Sequence, residues 1–266
     1  MIQAIAHPTD FSPAGALAFD HALALALHHR ARLDLLHVGG SAKEGDWDKF
    51  PRVRQRLEAW GRIPPGTPAG DVAALTGVAV RKIELHDSDP ADALGSYLAD
   101  HVPNLIVMAS HARSGLARLL AGSVSSSLLH QVQVPMLLLG PAAGGFVDPQ
   151  TGTPGLKRIL VPVDHQPDAA PAFEALVPLI EGSAVELDCL HVGKTAPMLR
   201  DPGGQPIAVR LQDGAPVETI LAEAHGAQII AMASEGRNGL GDLLLGSTTE
   251  RVLAGASVPV LALPVG

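Results

Sequence analysis

The chain has 266 residues, of which 47% are hydrophobic and 17% charged, and its net charge is −8. That apolar content builds sizeable cores and excludes a disordered chain. The acidic balance, without a run of Lys or Arg, argues against general nucleic-acid or anionic-membrane binding. A single cysteine, Cys189, excludes an internal disulfide and fits a reducing compartment. The N-terminus has no basic segment leading into a long apolar run, so no signal peptide is read. The apolar stretches break at His, Gly or Pro short of the roughly 18–20 residues of a membrane span. The expectation is a soluble, cytoplasmic protein.

The first predicted strand, IQAIAHPTD, ends at Asp10. Ser12-Pro13 reads as an N-cap and first-turn pair for a helix over LAFDHALALAL. A second strand, ARLDLLHV, follows to Val38, then an insertion near 43–62 that carries both tryptophans, Trp47 and Trp60. Val53, Leu57 and Trp60 recur at helical spacing, and the tryptophans are expected to cover the sheet. A third strand, VAVRKIELH, leads to the turn Asp87–Pro90, a helix, and a fourth strand ending in Met-Ala-Ser. A last helix and the strand VPMLLL complete this half.

After a Gly/Pro-rich stretch at 141–155, read as a linker, the chain repeats itself. Asp10 and Asp164, like His37 and His191, are 154 residues apart. Met108 and Met232, Gly122 and Gly246, Pro135 and Pro259 are each 124 apart. The second copy has the poorer helix FEALVPLI, interrupted by Pro178 and expected to be short or kinked. Where the first copy has its insertion, the second has only KTAPMLRDPGGQP. Alternating apolar strands and helices predict an α/β fold of two tandem, doubly wound, Rossmann-like domains. Each is expected to hold a five-stranded parallel sheet. They are residues 1–140 and 156–266.

Ligands of such sheets bind at strand C-termini. Pro-x-Asp, His-Val and Met-Ala-Ser fall there in both copies. The Gly-Ser pair falls at the start of the last helix, where free N–H groups suit phosphate oxygens. Asp10 and Asp164 would accept from a sugar or base, since a carboxylate repels phosphate. His37 and His191 are read as internally satisfied, and Cys189 as an inert core thiol. No zinc-type Cys/His spacing, P-loop or nucleophile elbow is present, so no metal site or catalytic residue is assigned.

These residues resemble the universal stress protein family (UspA-like), in a tandem two-domain form. Its nucleotide-binding members carry G-x2-G-x9-G-[S/T] after strand four. The second copy reads Ala233-x2-Gly236-x9-Gly246-Ser247, the first Ala109-x2-Ala112-x9-Gly122-Ser123. The resemblance implies an adenine-nucleotide site (ATP or AMP, with Mg²⁺ accompanying the phosphates) in the second half. That site would comprise Pro162, Asp164, Val192, Met232, Ala233, Gly236, Gly246, Ser247, Thr248 and Thr249. A weaker counterpart in the first half would comprise Pro8, Asp10, Val38, Met108, Ala109, Ala112, Gly122, Ser123, Val124 and Ser125. The implied function is regulatory and non-catalytic. A nucleotide-free scaffold acting through protein contacts and a slow ATP hydrolase are the alternatives. The resemblance also implies that the two Val-Pro strands pair within the chain as a pseudo-dimer. A further homodimer is an additional expectation.

Overall fold

The computed structural model describes residues 1–39, 47–110, 124–166, 169–201, 203–235 and 248–265. The expected elements appear in order. In the first copy they are β1 (Ala4–Pro8), α1 (Pro13–His29), β2 (Arg32–Gly39), α2 (Val53–Ala59), α3 (Val72–Thr76), β3 (Val80–His86), α4 (Pro90–Asp100), β4 (Leu105–Ala109), α5 (Val124–Gln131) and β5 (Met136–Leu139). The second copy supplies β6 (Arg158–Pro162), α6 (Ala170–Ile180), β7 (Glu186–Val192), β8 (Leu199–Arg200), β9 (Pro206–Ile207), β10 (Val209–Gln212), α7 (Pro216–Glu223), β11 (Ile229–Glu235), α8 (Thr248–Gly255) and β12 (Val260–Val265).

Local chemistry sets the helix ends. Ser12 is extended and its Oγ accepts the Gly15 N–H at 3.0 Å, starting α1. Asp89 Oδ1 accepts from the N–H groups of Ala91 and Asp92 at the start of α4. The matching helix α7 starts at Ala215 with no side-chain cap. As the Pro178 interruption predicts, α6 has 11 residues against 17 in α1. In place of the first-copy insertion helix, the second copy forms the small antiparallel pair β8–β9.

The chain divides into two compact units. One is Met1–Ala109 with Gly145–Gly155, the other Ser110–Gly144 with Leu156–Gly266. The first holds four parallel strands in the order β4-β1-β2-β3. The second has the order β10-β7-β6-β11-β12-β5. There β5 runs antiparallel to β12, pairing Met136, Leu137 and Leu138 with Ala262, Leu261 and Val260. The intrachain pairing of the two Val-Pro strands is therefore present. It places β5 and α5 in the second unit, so the compact units cut the chain differently from the repeat. A Cβ on Gly140 would lie 2.7 Å from the Leu253 carbonyl, and Gly144 N–H donates to Ser257 O at 2.8 Å, extending this attachment.

In both copies a carboxylate on the second strand is held by two guanidinium groups. Asp34 is bound by Arg32 and Arg81, and Asp188 by Arg158 and Arg210. The paired charges and charge-assisted bonds offset the cost of desolvating the carboxylate.

The linker does not dangle. Residues 145–155 form a strap on the first unit, closed by a Val147–Pro154 bridge. Phe146 N–H donates to His21 Nε2 at 3.0 Å and its ring meets the imidazole edge-on at 4.6 Å. Trp60 Nε1–H donates to Pro149 O at 3.2 Å. Arg62 reaches Thr151 O at 3.0 Å and Thr153 Oγ1 at 2.9 Å. The two tryptophans, both expected to cover the sheet, are placed differently, and only Trp47 departs from that expectation. Trp60 is buried with its indole N–H bonded to the strap, because that N–H needs an acceptor when buried. Trp47 is 52% exposed and stacks on Phe50 at 5.6 Å.

The strap makes a sharp prediction. Gly152 has φ +64, and a Cβ there would run into the Trp60 ring. Gly152→Ala should destabilise the protein by roughly 2 kcal/mol or more, combining backbone strain with overpacking. In a Trp47→Phe background it should also red-shift Trp60 emission. Gly182 has φ +78 but open space around it, so Gly182→Ala should cost only about 1 kcal/mol and leave the emission unchanged. Equal losses in chemical denaturation would refute the tight strap contact.

Candidate functional site

In the second unit, β6 lies between β7 and β11, so connections diverge at the C-termini of β6 and β11. Such a switch point leaves a crevice. A cavity of about 200 Å³ opens there. The end of β6 contributes Pro162, followed by Val163 and Asp164; β7 contributes His191 and Val192; β11 contributes Met232 and Ala233; the start of α8 contributes Thr248 and Thr249. The second-half residues Pro162, Asp164, Val192, Met232, Ala233, Thr248 and Thr249 therefore line one cavity. Gly236, Gly246 and Ser247 lie outside the described residues.

Ala169, Ala172, Phe173 and Leu176 of α6 and its lead-in form another wall, with Pro216 and Ile220 at α7. These were not singled out in the sequence. Their i, i+3, i+4, i+7 spacing was legible as a helix face but gave no sign of facing a cavity.

The polar groups have distinct roles. The Asp164 side chain is 69% exposed; its Oδ1 accepts the His165 N–H at 2.7 Å and lies 3.7 Å from His191 Nδ1. His191 Nδ1 donates to Val163 O at 2.9 Å, which places a hydrogen on Nδ1 and fixes the ring's orientation. His37 makes the same bond to Thr9 O at 2.8 Å. Both strand-end histidines thus tie the second strand to the loop after the first. A Cβ on Gly193 would collide with His191 Nε2, so glycine is required beside the ring. Thr249 Oγ1 donates to Ala233 O at 3.4 Å, and at the matching first-copy position Ser125 Oγ lies 3.1 Å from Ser110 Oγ. The Thr249 hydroxyl fastens α8 to β11, and the Ser125 hydroxyl fastens α5 to Ser110. Cys189 is buried beside Asp188, and burial first, then that charge, pushes its thiol up to about 12, keeping it protonated at neutral pH.

The first-half set is divided. Pro8, Asp10, Val38, Met108 and Ala109 belong to the first unit, Val124 and Ser125 to the second. Ala112, Gly122 and Ser123 lie outside the described residues. Asp10 Oδ1 accepts the Ser12 N–H at 3.1 Å. Phe11 takes φ 61 and sets its ring 4.1 Å from His37 and 5.4 Å from Phe50. The corresponding second-copy contact is His165 against His191, at 5.2 Å. Among the described residues no group of three potential metal ligands converges, and no helix is long and apolar enough to cross a membrane.

The family model described as "Universal stress protein family" matches residues 1–140 and 200–264. The chain belongs to the universal stress protein family. It is 26% identical over 183 residues to universal stress protein Rv2005c of Mycobacterium tuberculosis and to universal stress protein Mb2028c of Mycobacterium bovis. Each match covers 59% of this chain, and the chain spans about 60% of the length of either relative. The crystal structure of a universal stress protein from Archaeoglobus fulgidus superposes with a TM-score of 0.64 at 24% identity, covering 99% of this chain and 96% of the other. A protein described as functionally unknown, PA1789 from Pseudomonas aeruginosa, gives 0.65 at 15%, covering 99% and 92%. These likenesses establish a universal stress protein fold.

The two copies of this universal stress protein differ inside the strand as well. Val161 lines the second-half cavity, whereas the first copy has His7 at that position. His7 is fully buried; its Nδ1 donates to Val107 O at 2.8 Å, and its Nε2 has no hydrogen-bond partner among the described residues. Burial lowers its pKa from 6.5 to about 4, against smaller opposing effects of the Val107 bond and Asp10. The folded protein therefore holds His7 neutral while the unfolded chain takes up a proton near pH 6.5. Its contribution to stability is complete above pH 6.5 and is lost as the pH falls toward about 4. The loss is at most about 1.4 kcal/mol per pH unit. His7→Val should flatten the stability profile between pH 6.5 and about 4 in urea titrations, and an unchanged slope would contradict this assignment.

Proposed function

We propose that this universal stress protein is a regulatory, non-catalytic protein that binds an adenine nucleotide, ATP or AMP, in the second-half cavity. The observation that carries the reading is the convergence of all seven described second-half residues on one cavity at a strand switch point. Its floor of Val161, Leu190, Ala231, Met232 and Leu263 suits a planar apolar base. Asp164 is an exposed acceptor for ribose hydroxyls, and the start of α8 at Thr248 offers N–H groups to phosphate. At about 200 Å³ the cavity matches a base rather than a whole nucleotide, so the phosphates would extend outward, with any Mg²⁺ among them. Among the described lining residues Asp164 is the only carboxylate. That favours a bound state read by a partner protein over hydrolysis, which would call for a base or a metal-holding carboxylate pair.

The test is acid extraction and chromatography of nucleotide from the purified protein, followed by calorimetric titration with AMP and ATP. The expected stoichiometry is one per chain. Ala233→Leu, at the half-buried cavity mouth, should weaken binding at least about tenfold while leaving the melting temperature within a few degrees. Gly246→Val should do the same if the small-residue motif approaches the phosphates. No binding below millimolar levels would leave the scaffold reading in place. Phosphate release abolished by both variants would establish the hydrolase.

A further inference from the structure

A second cavity lies on the first unit, between the N-terminal part of α1 and the insertion helix α2, with a volume of about 370 Å³. None of the residues drawn from the family resemblance lines it. Its cations are Lys49, Arg52 and Arg56, its apolar walls include Phe11 and Phe19, and Gln55 adds an amide. No Asp or Glu is among its described lining residues. This contrasts with the chain as a whole, whose net charge is −8. The stretch 47–62 holds Lys49, Arg52, Arg54, Arg56 and Arg62 against only Asp48 and Glu58.

The charges are arranged rather than merely abundant. Arg56 Nε is held 2.9 Å from Asp20 Oδ1 of α1, which fixes that side chain across the cavity edge. The Arg52 guanidinium has no ion pair or hydrogen bond among the described residues. Arg52 and Gln55 also line an adjoining groove of about 670 Å³, where Arg54 and Lys82 add charge beside Val53, Val72 and Val80. Phe11 reaches the cavity from a left-handed backbone that a bulky residue rarely adopts, packed between His37 and Phe50. Arg56 is thus already matched by Asp20, and the Arg52 charge beside an apolar-walled hollow suits an anion whose hydrocarbon body is buried against Phe11 and Phe19.

We propose that the insertion builds a binding site for a small organic anion, a phosphate or carboxylate carried on an aromatic or aliphatic body, separate from the second-half cavity. The site comes with the extra segment that the second copy lacks, which gives that segment a function besides gripping the strap.

The test uses the full chain and 1-naphthyl phosphate, with binding followed by quenching of tryptophan emission and by calorimetry. Saturable binding is expected, with inorganic phosphate and 1-naphthol each at least about tenfold weaker. Arg52→Glu, at an exposed residue without an ion pair among the described residues, should weaken the probe at least about tenfold, and Gln55→Glu should do likewise, while Lys157→Glu on the second unit should not. Binding should persist at saturating AMP and in Ala233→Leu, whatever the fate of nucleotide binding. Equal affinity across the variants, full displacement by AMP, or failure to saturate by about 5 mM would overturn the proposal.

Discussion

The constraint on which the molecule depends is the burial of its parallel strands on both faces. Every residue of β1 and β4 is buried. A strand in that position must be apolar, its backbone groups must be satisfied by neighbouring strands, and its crossovers must be helices. Chemistry is thereby confined to strand ends and sheet edges. The exceptions within strands follow the same rule. Asp34 and Asp188 bring two guanidinium groups each, and His7 stays neutral because its burial disfavours the charged ring.

Duplication preserved the framework while changing what is attached to it. The strand-end histidines bond equivalent carbonyls, and the last helices carry matching buried hydroxyls at Ser125 and Thr249. Around this shared frame the copies part. The second keeps an apolar cavity beside Asp164. The first places Phe11 on His37 and stacks Phe50 and Trp47 outward from it. The insertion binds the strap through Trp60 and Arg62, and its other basic residues frame the cationic cavity. One segment thus serves both the packing of the first unit and a surface chemistry the second copy does not have.

Much of this was legible in the chain. Element order, the short helix around Pro178, the Ser12 cap and the structural role of the strand-end histidines follow from local signals, and family membership follows from the repeat. The convergence of Pro162, Asp164, Val192, Met232 and Ala233 could be expected only through strand order and resemblance. The wall formed by Ala169, Ala172 and Phe173 went unassigned because an apolar helix face looks the same whether it meets a strand or a cavity. Trp60 was legible only in part. Its helical spacing marks it as buried but does not reveal that the acceptor for its N–H is Pro149, distant in sequence.

Sequence by itself determined the secondary elements, their twofold recurrence and the positions at which strands end, because those depend on periodicity, caps and turns within a few residues. Only the tertiary structure decided that β5 joins the second unit and that residues 145–155 fasten to the first. Those outcomes depend on which surfaces meet across more than eighty residues of chain, as between Trp60 and Pro149. No local pattern encodes such a meeting; it follows from the strand pairing and shape fit of the folded whole.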